Sequence, residues 1–235
     1  MELDISDKYL TWGWGKVGKY KNKIIKFGCL KNQIKLSNTN KKFFLFVLKS
    51  NSRFTNKIHS GAGSNNLLRY FYDCESFLKN INCKIKGDII LRRHARTHEW
   101  PEEKKICKMF DKNQVDSGRV NLIKLINKSK LVIHTYNSTG FLETLAANKP
   151  TVIFFNNTDY PLNIEAKKYF NYLKDANILF YNWKEAVLFL NNNYNSIDNW
   201  WNSNKTQDAR NKFCSNFVKL NDSKIDKLVK IIRKI

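Results

Sequence analysis

A chain of 235 residues with 42 % hydrophobic and 26 % charged side chains can bury a core as one large domain or two small ones, which excludes intrinsic disorder. The longest apolar run, residues 43–48, falls far short of a membrane-spanning helix, and residues 1–9 carry acids where a signal peptide has a basic flank and an apolar stretch, so a cytoplasmic protein is expected. The 42 Lys and Arg against 20 Asp and Glu give a net charge of +22, but most of that excess is Lys spread among abundant Asn and Ile, as AT-rich codons produce, and neither a recognition helix nor a stacking motif favours nucleic acid.

Residues 1–40 form an amino-terminal segment containing Trp12-Gly13-Trp14-Gly15, and its imperfect alternation supports only short strands at 24–27 and 34–36. Regular patterning then begins. Phe43-Phe44-Leu45-Phe46-Val47-Leu48 is an apolar run bounded by polar clusters, expected of a strand buried on both faces of a parallel sheet. A glycine-bearing loop at 60–64 precedes a helix over 66–79, which presents Leu67, Leu68, Phe71, Cys74 and Leu78 at helical spacing, and a second strand over 88–91. There follow a helix at 120–127, a strand at 131–133, a helix at 140–147 and a strand at 151–155. Next come a helix at 164–173, a strand at 178–180 and a helix at 184–192. Residues 197–235 read as two helices, the last basic and amphipathic through Ile225, Leu228, Val229 and Ile232.

Strands alternating with helices predict an α/β fold: a Rossmann-like open, mostly parallel sheet with helices on both faces, plus C-terminal helices. Residues 41–196 would form this domain, with 1–40 as the remnant of an interdomain region and 197–235 as a helical extension. Ligands of such sheets bind beyond the carboxyl ends of the strands, which directs attention to loops 50–65, 92–101, 134–141 and 156–161.

Within LVIHTYNSTGFLETLAANKPTVIFF, residues 131–155, a buried strand ends at Ile133 and a helix opens near Thr139 or Gly140, with Ser138 or Thr139 placed as N-cap. The amides of its first turn make an anion site, and Glu143 is close enough to reach a ribose hydroxyl pair. Plain helix capping with Glu143 as a dipole partner is the competing account. His134, Tyr136 and Asn137 at the strand end favour a ligand. Arg92, Arg93, His94, Arg96 and His98 cluster in a chain poor in arginine, which suits diphosphate recognition with a histidine as proton donor; a solvated basic turn is the alternative. A His94/His98 metal pair lacks a third ligand at sensible spacing, so no metal is expected. Loop 60–64 lacks the Walker Lys-Ser/Thr and full GxGxxG spacing, so neither ATP nor a dinucleotide is expected. Asn156, Asn157 and Asp159 would flank the same pocket. The five cysteines, never in a CxxC pair, read as small buried apolar residues.

The string HTYNSTGFLETLAANKPTVIFFN resembles the donor-site strand, turn and helix of the second domain of GT-B glycosyltransferases. Together with Thr11-Trp12-Gly13-Trp14 and Leu91-Arg92-Arg93-His94, it resembles a family of transferases encoded in surface-carbohydrate gene clusters. Those proteins are longer, so the resemblance covers most of this chain but only the carboxyl-terminal part of the family. It implies that His134, Asn137, Ser138, Thr139 and Glu143 surround a nucleotide-sugar donor, with Arg92 and the catalytic candidate His94 reaching in from the neighbouring strand. Arg93, Tyr136 and Gly140 complete the expected donor-binding set. The nucleotide-sugar is a substrate and no cofactor is implied. The acceptor would be a glycan or lipid-linked sugar. The charge and amphipathic pattern of the last helix fit a solvated face or, as the alternative, contact with the inner face of an anionic membrane. The catalytic base often comes from the half that this chain lacks. An alternative is therefore a non-catalytic subunit that pairs with a separate amino-terminal acceptor-domain protein through apolar surface around Trp12, Trp14 and Phe27.

Overall fold

A computed structural model describes residues 2–15, 18–29, 34–37, 41–49, 51, 64–96, 98–159, 161–219 and 224–233. The chain opens with α1 (Glu2–Ile5), β1 (Tyr9–Thr11) and β2 (Ile24–Lys26), the two strands pairing in parallel. The alternating region follows as β3 (Phe43–Val47), α2 (Ser64–Asn80), α3 (Cys83–Gly87), β4 (Ile89–Arg92), α4 (Pro101–Cys107), β5 (Val115–Asp116) and α5 (Leu122–Lys128). It continues as β6 (Ser129–His134), α6 (Thr139–Ala146), β7 (Thr151–Phe154), α7 (Ile164–Asp175), β8 (Leu179–Phe180) and α8 (Trp183–Asn193). The tail is α9 (Ile197–Asn202), α10 (Asn204–Phe217) and α11 (Lys224–Ile232), three helices where two are expected from sequence.

Six parallel strands run in the order β5-β4-β3-β6-β7-β8. Their apolar content explains this arrangement, because strands covered on both faces by helices need no polar side. Phe44, Phe46, Leu131, Ile133, Val152 and Phe154 pack on one face with α2 and α8, while Leu45 and Val132 meet α5 on the other. Ile153 and Leu179 share that second face with α6, α7 and α10 through Phe141, Phe170 and Phe213. The doubly wound sheet with helices on both faces is thus the fold expected from the alternation.

Several local expectations change. Residues 34–36 form no strand; Ile34 instead packs as an irregular segment against Leu45, Leu125 and Val132. Leu68 does not join the buried stripe of α2 and is 44 % exposed, because Tyr70 and Phe77 take its share of the core. Of the loop at 60–64, only Ser64 lies within the described residues. The apolar patch expected around Trp12, Trp14 and Phe27 is covered: Phe27 is 4 % exposed and both tryptophans are half-buried. The reason is local pairing, since Lys219 N donates to Trp12 O at 2.8 Å and Cys29 N to Lys219 O at 2.9 Å, tying the amino-terminal segment to the end of α10. Gly13 permits this approach, because a Cβ there would lie 2.6 Å from Asn216 O. No helix among the described residues is long and apolar enough to cross a membrane.

Candidate functional site

The strand order reverses between β3 and β6, the topological switch point where ligands of open α/β sheets bind beyond the carboxyl ends. Val47 ends β3 in register with His134 of β6 on one side and Arg92 of β4 on the other. Just past these ends, Thr135 Oγ1 donates to Val47 O at 2.8 Å. Tyr70 of α2 donates its hydroxyl to Thr135 at 2.8 Å and accepts Lys49 N at 2.6 Å. This chain of bonds, 1 % exposed at Thr135, locks the two diverging strands together.

Beyond Thr135 the backbone enters α6. Ser138 is the N-cap, as the sequence suggests, but its backbone is extended (φ −144°, ψ 166°) and its side chain makes no capping bond. Amides of the first turn that a capping side chain would satisfy are left to solvent or a ligand. Ser138 Oγ is buried and makes no hydrogen bond of good geometry among the described residues. Tyr136 lies beside it: burial raises the phenol above its usual pKa, and the Ser138 hydroxyl works against that rise.

His134 lies directly beneath this turn and is 2 % exposed. Its Nε2 faces Thr144 Oγ1 at 3.1 Å, and that hydroxyl donates onward to Phe141 O at 3.1 Å. Nε2 therefore carries the proton and Nδ1 is a bare acceptor, buried with no partner among the described residues. Burial pushes the imidazole down to about 3, so it is neutral at physiological pH. Gly140 lets α6 sit close: a Cβ there would meet His134 Cε1 at 3.2 Å and both Nδ1 and Ser138 Oγ at 3.5 Å. The structure thus brings His134, Ser138, Gly140 and Tyr136 together. Asn137 is half-buried and Thr139 exposed in the same turn, while Glu143 is half-buried one turn further along α6.

The arginine loop has other partners. Arg92 pairs with Asp116 and donates Nη1 to Val120 O at 2.7 Å, bracing the β5–α5 turn. Arg93 points to the opposite face, where Nε donates to Glu103 of α4 at 2.7 Å. His94 is exposed, and its Nδ1 accepts the Arg96 amide at 3.1 Å. Since β3 separates β4 from β6, Arg92 and His134 stand two strand spacings apart, roughly 10 Å between backbones. No group of three or more His, Cys, Asp or Glu suited to a metal occurs among the described residues.

On the other side of Thr135 a small cleft is lined by Lys49, Tyr70, Asp73, Asn156 and Asp159. Asn156 and Asp159 thus line this cleft and not, as expected from sequence, the pocket at the α6 turn; Asn157 lines neither, and Lys49, Tyr70 and Asp73 escape sequence reading. Burial raises the Asp73 carboxyl, with Arg69 opposing, and lowers the Lys49 ammonium. Asp159 is paired with Arg69, whose Nη2 also reaches Thr158 Oγ1 at 3.2 Å. The signal that could have found these residues is polarity at the carboxyl end of β3 and on the first turns of the helix that follows it.

The profile of the LIC12162 family transferases matches residues 1–232. No curated protein matches the sequence. Two solved structures of variants of the wall teichoic acid polymerase TagF are similar to it, at 15 % and 14 % identity and a TM-score of 0.49 each, covering 99 % of this chain and 59 % of theirs. The chain therefore spans less than two thirds of the length of those polymerase chains.

Proposed function

This chain belongs to the LIC12162 family of transferases, and from that membership we propose that it is a GT-B-like glycosyltransferase domain that holds a nucleotide-sugar donor at the first turn of α6. The observation that carries the reading is the pair of buried atoms, His134 Nδ1 without a partner among the described residues and Ser138 Oγ with no close partner there but the Tyr136 phenol, set at a helix N-terminus that no N-cap side chain closes, on the switch point of the sheet. Amides of the turn and the Ser138 hydroxyl supply donors suited to the diphosphate. The neutral His134 supplies an acceptor, which suits a ribose or sugar hydroxyl and not a phosphate oxygen.

In the transfer, an acceptor hydroxyl oxygen forms a bond to the anomeric carbon as the bond from that carbon to the phosphate oxygen breaks. The electron pair leaves with the nucleotide, a diphosphate or, from a CMP-sugar, a monophosphate, and the hydroxyl proton passes to a base. Preorganised amides at α6 stabilise the charge that develops on the leaving phosphate. His94, exposed past the end of β4 two strands from β6, is the candidate to protonate that phosphate. Arg92 and Arg93, held by Asp116 and Glu103, brace the strand end and the loop that carries His94. The acceptor is a glycan or lipid-linked sugar of surface polysaccharide synthesis. Isothermal titration with UDP-, GDP-, CMP- and dTDP-sugars tests the reading: binding of at least one is expected, and no heat from any of them at millimolar concentration overturns it.

A further inference from the structure

Most long helices of the domain turn an apolar stripe into the core: Leu67, Phe71, Cys74 and Leu78 of α2 and Phe213 of α10 are all at most 2 % exposed. Helix α11 does the opposite. Ile225, Leu228, Val229 and Ile232 recur at the spacing of one helix face, yet Ile225 is 76 %, Val229 39 % and Ile232 62 % exposed, with Leu228 half-buried. The other face presents Lys227, Lys230 and Arg233, all exposed, beside a single acid, Asp226.

Charge selects the occupant of this face. A second copy of a chain carrying +22 would be repelled, whereas an anionic bilayer offers acyl chains to the apolar stripe and an attractive field to the basic residues on the rest of the helix. Nine helical residues span about 13 Å, enough for two and a half turns lying flat in the interface and far too few to cross it. We infer that α11 is an in-plane anchor that docks this domain on an anionic membrane surface. The inference stands on α11 alone and does not depend on the donor site.

Sedimentation of the full chain with sucrose-loaded vesicles tests it, comparing pure phosphatidylcholine with a mixture containing about one third phosphatidylglycerol. Wild type is expected to partition at least about tenfold more strongly onto the anionic vesicles, and added salt should weaken that binding. The triple variant Ile225→Gln, Val229→Gln, Ile232→Gln should lose the binding. Because these side chains are exposed, it should keep the wild-type melting curve. Three results overturn the inference: wild type left in the supernatant with both vesicles, equal partitioning onto both, or undiminished binding of the triple variant. The last would assign the attraction to general surface charge, and the first would leave α11 to a protein partner.

Discussion

The imidazole of His134 is the residue on which the site turns, because its protonation state decides what it can hold. Burial lowers its pKa from 6.5 to about 3. Between those values the unfolded chain binds a proton that the folded chain refuses. His134 therefore contributes stability that is fully present above pH 6.5 and lost as the pH falls towards 3, at up to about 1.4 kcal/mol per pH unit. Urea unfolding of wild type and His134→Asn across this range checks the linkage. The variant is expected to show a shallower acid limb, and identical slopes would mean that His134 titrates normally. Gly140 is the second decisive residue. In Gly140→Ala the gain in helix propensity, about 1 kcal/mol, opposes the 3.2 Å contact of the new Cβ with His134 Cε1, so the melting temperature should change little. The same methyl would sit between Ser138 Oγ and His134 Nδ1, and donor affinity should fall about tenfold, or about 1.4 kcal/mol. At this scale the sequence was only partly legible. It singled out His134, Ser138 and Gly140 because strand, small residues and helix follow one another in the chain. Arg92 misled, since its partner Asp116 lies 24 residues away and no spacing rule links them.

At the scale of elements, α6 presents its first turn because its other end is fixed. Asn148, with φ +54°, turns the chain out of the helix, and Lys149 N returns to Thr144 O at 2.9 Å. Trp201 Nε1 donates to Asn148 Oδ1 at 3.0 Å and Arg210 Nη1 to Leu145 O at 2.9 Å, so α9 and α10 cap α6 and place a cation at its negative end. Arg210→Ala should cost about 1–2 kcal/mol in thermal unfolding, and an unchanged melting temperature would show that the contact contributes nothing. The His94 loop depends on Gly118, whose φ is +86° and whose Cβ would lie 2.3 Å from Ala95 N. Gly118→Ala should therefore destabilise by about 2–3 kcal/mol and disturb the His94 turn, read as a lower melting temperature together with slower turnover. Strands β3, β6 and β7 were legible because helices cover both their faces and the sequence there is almost wholly apolar. Strand β5 was not, because Val115–Asp116 is two residues long and carries no period. Helix α4 was missed: the loop expected at 92–101 ends on its first residue and 102–107 received no assignment, although proline suits the first helical turn.

Across the whole molecule, the strand order matters more than any single motif. It places the carboxyl ends of β3 and β6 side by side, with helices leaving them on opposite faces, so a crevice opens at Thr135 whatever the surrounding residues are. The sequence supports the class of sheet but carries no statement of strand order. The bond from Tyr70 to Thr135, 65 residues apart, and the cleft beside it follow from that order alone. The positive charge is a property of the whole surface, while the first turn of α6 presents neutral donors and, in His134 Nδ1, a neutral acceptor. Donor holding, proposed for α6, is thereby separate from proton delivery, proposed for His94 on a different strand end. Parallel calorimetric titrations of wild type, Gly140→Val and His94→Ala with the nucleotide-sugar that binds best test this separation most directly. Gly140→Val is expected to weaken binding at least about tenfold while His94→Ala stays within about twofold of wild type. Undiminished binding by Gly140→Val, or collapse of binding in His94→Ala, would contradict it.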